Sequence, residues 1–78
     1  MKLAAHLPEY RARAESFLQS KGLSLSDIQT GRDAWAVAHN AGIASHAYAL
    51  SRDILDSHIQ TALESIMPNA VFQDKKRY

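Results

Sequence analysis

An all-α fold, a small bundle of about three helices, follows from three features of the sequence. Apolar residues recur at the 3.6-residue spacing of a helix face, capping residues bracket the periodic stretches, and the 2 prolines and 3 glycines fall near the ends of those stretches. The 13 alanines agree with this, since alanine favours helix while burying little area. Leu, Ile, Val and Phe together number only 17 of 78 residues, so the core is modest and the chain makes one domain.

The first helix is expected over residues 8–21. Leu7, Tyr10, Ala14, Phe17 and Leu18 lie on one face of it. Pro8 suits the first helical position, where its missing N–H is no loss. Glu9 with Arg13, and Arg11 with Glu15, form i,i+4 pairs on the wet face. Gly22 supplies a left-handed C-cap, after which Leu23 can fold back on Leu18 or Phe17.

A short turn fits at 25–29, with Leu25 and Ile28 dipping into the core. Ser24 with Asp27, and Ser26 with Gln29, both have N-cap spacing. Thr30 then caps a second helix over 31–40, with Asp33 three residues on. Trp35, a large ring among alanines, reads as the anchor of a small core or as an interface hot spot.

Between Asp33 and Met67 there is no proline. An unbroken helix there would run about 52 Å, too long for a compact chain whose radius of gyration is about 11–12 Å. A break near Asn40-Ala41-Gly42 is therefore expected, leaving a third helix over 44–67. On a helical wheel Ile43, Ala47, Leu50, Ile54 and His58 take one side of it. Tyr48, Leu55, Ile59, Ala62, Leu63 and Ile66 take the next, for an apolar arc of about 220°. One neighbour does not fill such an arc. The third helix is thus expected to be central, covered by the first helix and by a second copy of the chain. Pro68 ends it, Ala70-Val71-Phe72 forms an apolar patch, and residues 73–78 read as an extended, frayed basic tail.

Composition narrows the function. With 0 cysteines there is neither a disulfide nor a thiolate for zinc or nucleophilic chemistry. A chain of 8.7 kDa buries only about 60% of its unfolded surface, and oligomerisation is the remaining common source of stability. The net charge of +1 does not by itself point to nucleic acid or membrane. It is unevenly spread: residues 1–22 and 68–78 are basic, and 23–67 are acidic, a pattern that favours head-to-tail or antiparallel contacts. The opening Met1-Lys2-Leu3-Ala4-Ala5 meets His6, Pro8, Glu9 and Arg11 before any apolar signal region forms. No stretch approaches the roughly 18 apolar residues of a membrane span. The expected compartment is the cytoplasm.

Candidate chemistry is sparse. His39, His46 and Asp53 repeat every seven residues, about 10.5 Å of helical rise, too far apart for one metal. They read as structural side chains, with a metal-dependent small enzyme as the third hypothesis. Asp53, Asp56 and Glu64 share a wet helix sector near His58, without the pocket that acid–base work requires. No nucleophile elbow or phosphate-cradling glycine loop occurs. No catalytic residue, metal or cofactor is expected.

The second hypothesis is a nucleic-acid-associated regulator. A helix ending at Gly22, a short turn and a helix from Gly31 resemble a helix-turn-helix, with Arg32, Arg52, Lys75, Lys76 and Arg77 as contacts. Only the tail is densely basic, however, and phosphate binding needs several cations on one face. The leading expectation is a non-enzymatic, self-associating interaction module: a homodimer or higher homo-oligomer that acts on a protein partner. Its apolar interface is expected at Leu55, Ile59, Leu63, Ile66 and Phe72. In its Ala-rich helices and lack of motifs the chain is similar to short reading frames of bacteria and their phages, which implies an accessory protein.

Overall fold

Residues 3–72 are described by a computed structural model, in which four α-helices follow a 3-10 turn at Leu3–His6. They are α1 (Leu7–Gln19), α2 (Gly31–Asn40), α3 (Ile43–Leu50) and α4 (Asp56–Ile66), with a second 3-10 turn at Leu25–Asp27. The all-α expectation holds for these residues, with one more helix than the sequence suggested. The basic tail at 73–78 lies outside the described residues.

Helix α1 forms as its periodicity requires, with Tyr10, Ala14 and Leu18 buried and Pro8 in the first turn. The Arg13 guanidinium donates to the Glu9 carboxylate at 3.0 and 3.2 Å. Gly22, at φ 77°, ends the helix. The Leu23 N–H donates to the Leu18 carbonyl at 2.9 Å and the Gly22 N–H to that of Gln19 at 3.1 Å, the bond pair of a Schellman cap. The Leu23 side chain itself is 42% exposed.

Of the two spacings offered for the following turn, the chain uses Ser24 with Asp27. The N–H and hydroxyl of Ser24 donate to one Asp27 oxygen at 2.8 and 3.1 Å, and Leu25 and Ile28 are buried. Thr30 caps α2, its hydroxyl accepting from the Asp33 N–H at 3.0 Å. The segment after α4 returns here. Gly31 N–H donates to the Val71 carbonyl at 2.8 Å and Val71 N–H to that of Gln29 at 3.0 Å, a single parallel bridge. The Asn69 amide adds a bond to the Ser26 carbonyl at 3.0 Å. A Cβ on residue 31 would lie 2.7 Å from the Phe72 ring and 3.0 Å from its Cα, so glycine is what lets Phe72 seat against α2.

The break between α2 and α3 falls where expected, at Ala41-Gly42, with Gly42 at φ 78°. The expected helix over 44–67 does not form. It is interrupted at 51–55 without proline or glycine. Ser51 is extended, its hydroxyl accepts from the Asp53 N–H at 3.0 Å, and the Ile54 N–H reaches the Ser51 carbonyl at 3.4 Å. Serine thus offers the backbone a local alternative to the helix. Helix α4 restarts with Leu55 extended, its N–H satisfied by the His58 Nδ1 at 2.9 Å.

This interruption corrects the apolar arc. Helix α3 buries Ile43, Ala44 and Ala47, while α4 buries Ile59, Ala62, Leu63 and Ile66. Apart from Ile54 in the interruption, the buried residues of the two wheel sides belong to two different helices, while Tyr48, Leu50 and Leu55 are exposed. Nor is the C-terminal helix central: α1 and α2 each pack on the other three helices. The radius of gyration is 12.0 Å and the extents are 34 × 32 × 17 Å, a slab about two helix layers thick.

Candidate functional site

The five residues expected to form one apolar interface are separated by the fold. Ile59 and Leu63 are 0% exposed and Ile66 is buried beside Met67, so these three are core within a single chain. Phe72 is half-buried against Gly31. Leu55 alone stands clear, at 59% exposure. The interruption at 51–55 accounts for this: it turns α4 so that its apolar stripe meets α1 and α2 instead of solvent.

Leu55 stands at the corner between α3 and α4. The turn Ser51–Ile54 brings its own ends within about 7 Å, and Leu50 and Leu55 are the residues on either side of it. The Tyr48 hydroxyl donates to the Asp56 carboxylate across the same corner, joining the last turn of α3 to the first of α4. Tyr48, Leu50 and Leu55 are 42%, 44% and 59% exposed there. Asp53 and Asp56 accompany them, against one cation, Arg52. The hydrogen bond to Asp56 pushes the Tyr48 phenol above its usual range, because ionisation would lose that bond and set two anions side by side.

A second surface surrounds the start of α2. Thr30, Gly31, Arg32, Trp35, Gln60, Val71 and Phe72 line an open groove of about 460 Å³. Trp35 is half-buried, packs on the core as its anchor reading expects, and also lines this groove. Arg32 is exposed and is the one charged residue of the lining among the described residues. Val71 is 67% exposed. Together the corner and the groove hold four of the five exposed large hydrophobic side chains among the described residues, the fifth being Leu23.

The histidines each have structural company. His46 Nδ1 lies 2.9 Å from the hydroxyl of Tyr10, a residue with no exposed surface, and the His6 ring stacks on the Tyr10 ring at 5.8 Å. Burial pushes the Tyr10 phenol above its usual value. His6 Nδ1 stands 3.8 Å from Glu9, whose carboxyl is held below the usual range chiefly by its bond to Arg13. His39 lies beside Trp35, and His58 caps α4. His39, His46 and Asp53 therefore sit on α2, on α3 and in the corner. Among the described residues no three His, Asp or Glu side chains converge in a way that could hold a metal ion. The expected carboxylate stripe is likewise dispersed: Asp56 serves Tyr48, and Glu64 accepts from Gln60 at 3.3 Å.

The helix pair with the tightest connection is α2–α3, joined by Ala41-Gly42, rather than the pair flanking residues 22–31. Helix α3 carries neither Lys nor Arg. Arg32 and Arg52 stand on the groove and on the corner respectively. Lys75, Lys76 and Arg77 lie outside the described residues. No described helix is long and apolar enough to cross a membrane. Compared with protein-family models, with curated proteins and with solved structures, the chain matches none.

Proposed function

We propose that this chain is a small non-enzymatic interaction module that associates with copies of itself, and that the α3–α4 corner is the surface it uses. The observation that carries this reading is the exposure of Tyr48, Leu50 and Leu55 on either side of one turn, across which Tyr48 bonds Asp56. A chain with so few large apolar residues leaves three of them exposed around the same corner, while small side chains such as Ala44 and Ala47 are buried in the core. Burying such a patch releases water from apolar surface at the roughly 25 cal/mol per Å² typical of that transfer. The patch is a few side chains wide, at the small end of the interface range, so association is concentration-dependent and transient.

Sedimentation velocity over a range of protein concentrations tests this. The wild-type chain should gain mass with concentration, and Leu55→Asp should shift that gain to at least about tenfold higher concentration. A wild-type chain that keeps the mass of 8.7 kDa throughout overturns the reading.

A further inference from the structure

The corner and the groove differ in charge as well as in place. The corner sets Asp53 and Asp56 against Arg52 around Tyr48, Leu50 and Leu55. The groove sets Arg32 beside Trp35, Val71 and Phe72, and Asp33, the next residue of α2, does not line it. One surface is an exposed apolar corner with a net negative charge. The other is an open cleft lined by Trp35 and Phe72, with Arg32 as its one charged residue among the described residues.

We propose that the corner of one copy docks in the groove of the next, so that self-association is head-to-tail. This deepens the reading of the preceding subsection and rests on it. Two corners facing each other would bring Asp53 and Asp56 of both copies together. Pairing corner with groove instead opposes unlike charges and covers four of the five exposed large hydrophobic side chains in one contact. Leu55 and Leu50 are of a size to enter a cleft of about 460 Å³ beside Trp35. Such a contact uses different patches on its two sides, so it is heterologous and grows into rings or open chains rather than stopping at a dimer.

Two variants that each damage one side separate the possibilities. Leu55→Asp keeps the groove, and Val71→Asp keeps the corner. Val71 contributes to the bridge with Thr30 through backbone atoms, so its exposed side chain can change while those bonds remain. Arg32→Glu is a second groove variant without any side-chain partner to lose among the described residues, and circular dichroism shows that each variant is folded. The expected result is that either variant alone loses association at least about tenfold, while an equimolar mixture of Leu55→Asp with Val71→Asp, or with Arg32→Glu, forms a 1:1 pair that does not grow. Groove variants that associate like the wild type, or mixtures no heavier than their components, overturn the head-to-tail arrangement and leave self-association standing. A wild-type chain that is monomeric throughout removes the reading beneath it as well.

Discussion

Tyr10 and His46 are 36 residues apart in the chain, yet the phenol hydroxyl and the imidazole Nδ1 meet at 2.9 Å. Tyr10 has no exposed surface, and His46 covers its polar tip at the junction of α1 and α3. A buried hydroxyl needs such a partner. The bond thus fixes where α3 lies across α1. Tyr10→Phe should keep the packing and lose the bond, reducing stability by about 1 kcal/mol in chemical denaturation. An unchanged midpoint would show that this pair does not hold the two helices.

Gly31 and Gly22 should respond differently to alanine. At Gly31 the new Cβ would meet Phe72 at 2.7 Å and its backbone at 3.0 Å, so Gly31→Ala must displace the returning segment. A loss of about 1–3 kcal/mol is expected, with faster amide exchange at Gly31 and Val71. At Gly22 nothing lies within 4 Å, and only the left-handed φ of 77° opposes a side chain. Gly22→Ala should cost about 1–2 kcal/mol and leave the Val71 amide protected. Equal exchange in both variants would contradict the contact between Gly31 and Phe72.

Leu63 and Leu55 lie eight residues apart on opposite sides of the fold's accounting. Leu63→Ala opens a cavity in a fully buried site and should cost about 2–5 kcal/mol. That is a large share of the stability of so short a chain. Leu55→Ala should fall within about 0.5 kcal/mol of the wild type at low concentration. Thermal melting of dilute samples distinguishes the two, and a reversed order would return Leu63 to the surface.

Alkaline pH should weaken the fold through its tyrosines. Tyr10, by burial, and Tyr48, by its bond to Asp56, both ionise above the ordinary value in the folded chain. Above about pH 10 the unfolded chain loses these protons first. The stabilisation is therefore complete below that pH and lost as pH rises through the folded values. Melting temperature should fall from about pH 10 upward, and Tyr48→Phe should flatten part of that fall. A Tyr48→Phe curve parallel to the wild type would show that the corner bond does not contribute.

Elements with strong local chemistry were legible in the sequence. Helix α1, its Gly22 cap, the Thr30 cap and the break at Gly42 each rest on a residue type with one favoured backbone geometry. The interruption at 51–55 was not, because a serine such as Ser51 stops a helix only when its side chain turns to the backbone, here to the Asp53 N–H. Ile54 and Leu55 continued the apolar pattern across it. That one omission moved Ile59, Leu63 and Ile66 from an expected interface into the core and left Leu55 alone outside. The groove was out of reach for another reason: its walls come from residues 30–32, 35, 60 and 71–72. Nothing in the local pattern of either segment announces the approach of Phe72 to Gly31.

The most direct test of the account is a dilution series of amide and methyl NMR spectra of the wild-type chain. Self-association through the corner predicts concentration-dependent shifts at Tyr48, Leu50 and Leu55, with the Ile59 and Leu63 methyls stationary in the core. Spectra that do not change with concentration, or changes confined to residues away from the corner, would contradict it.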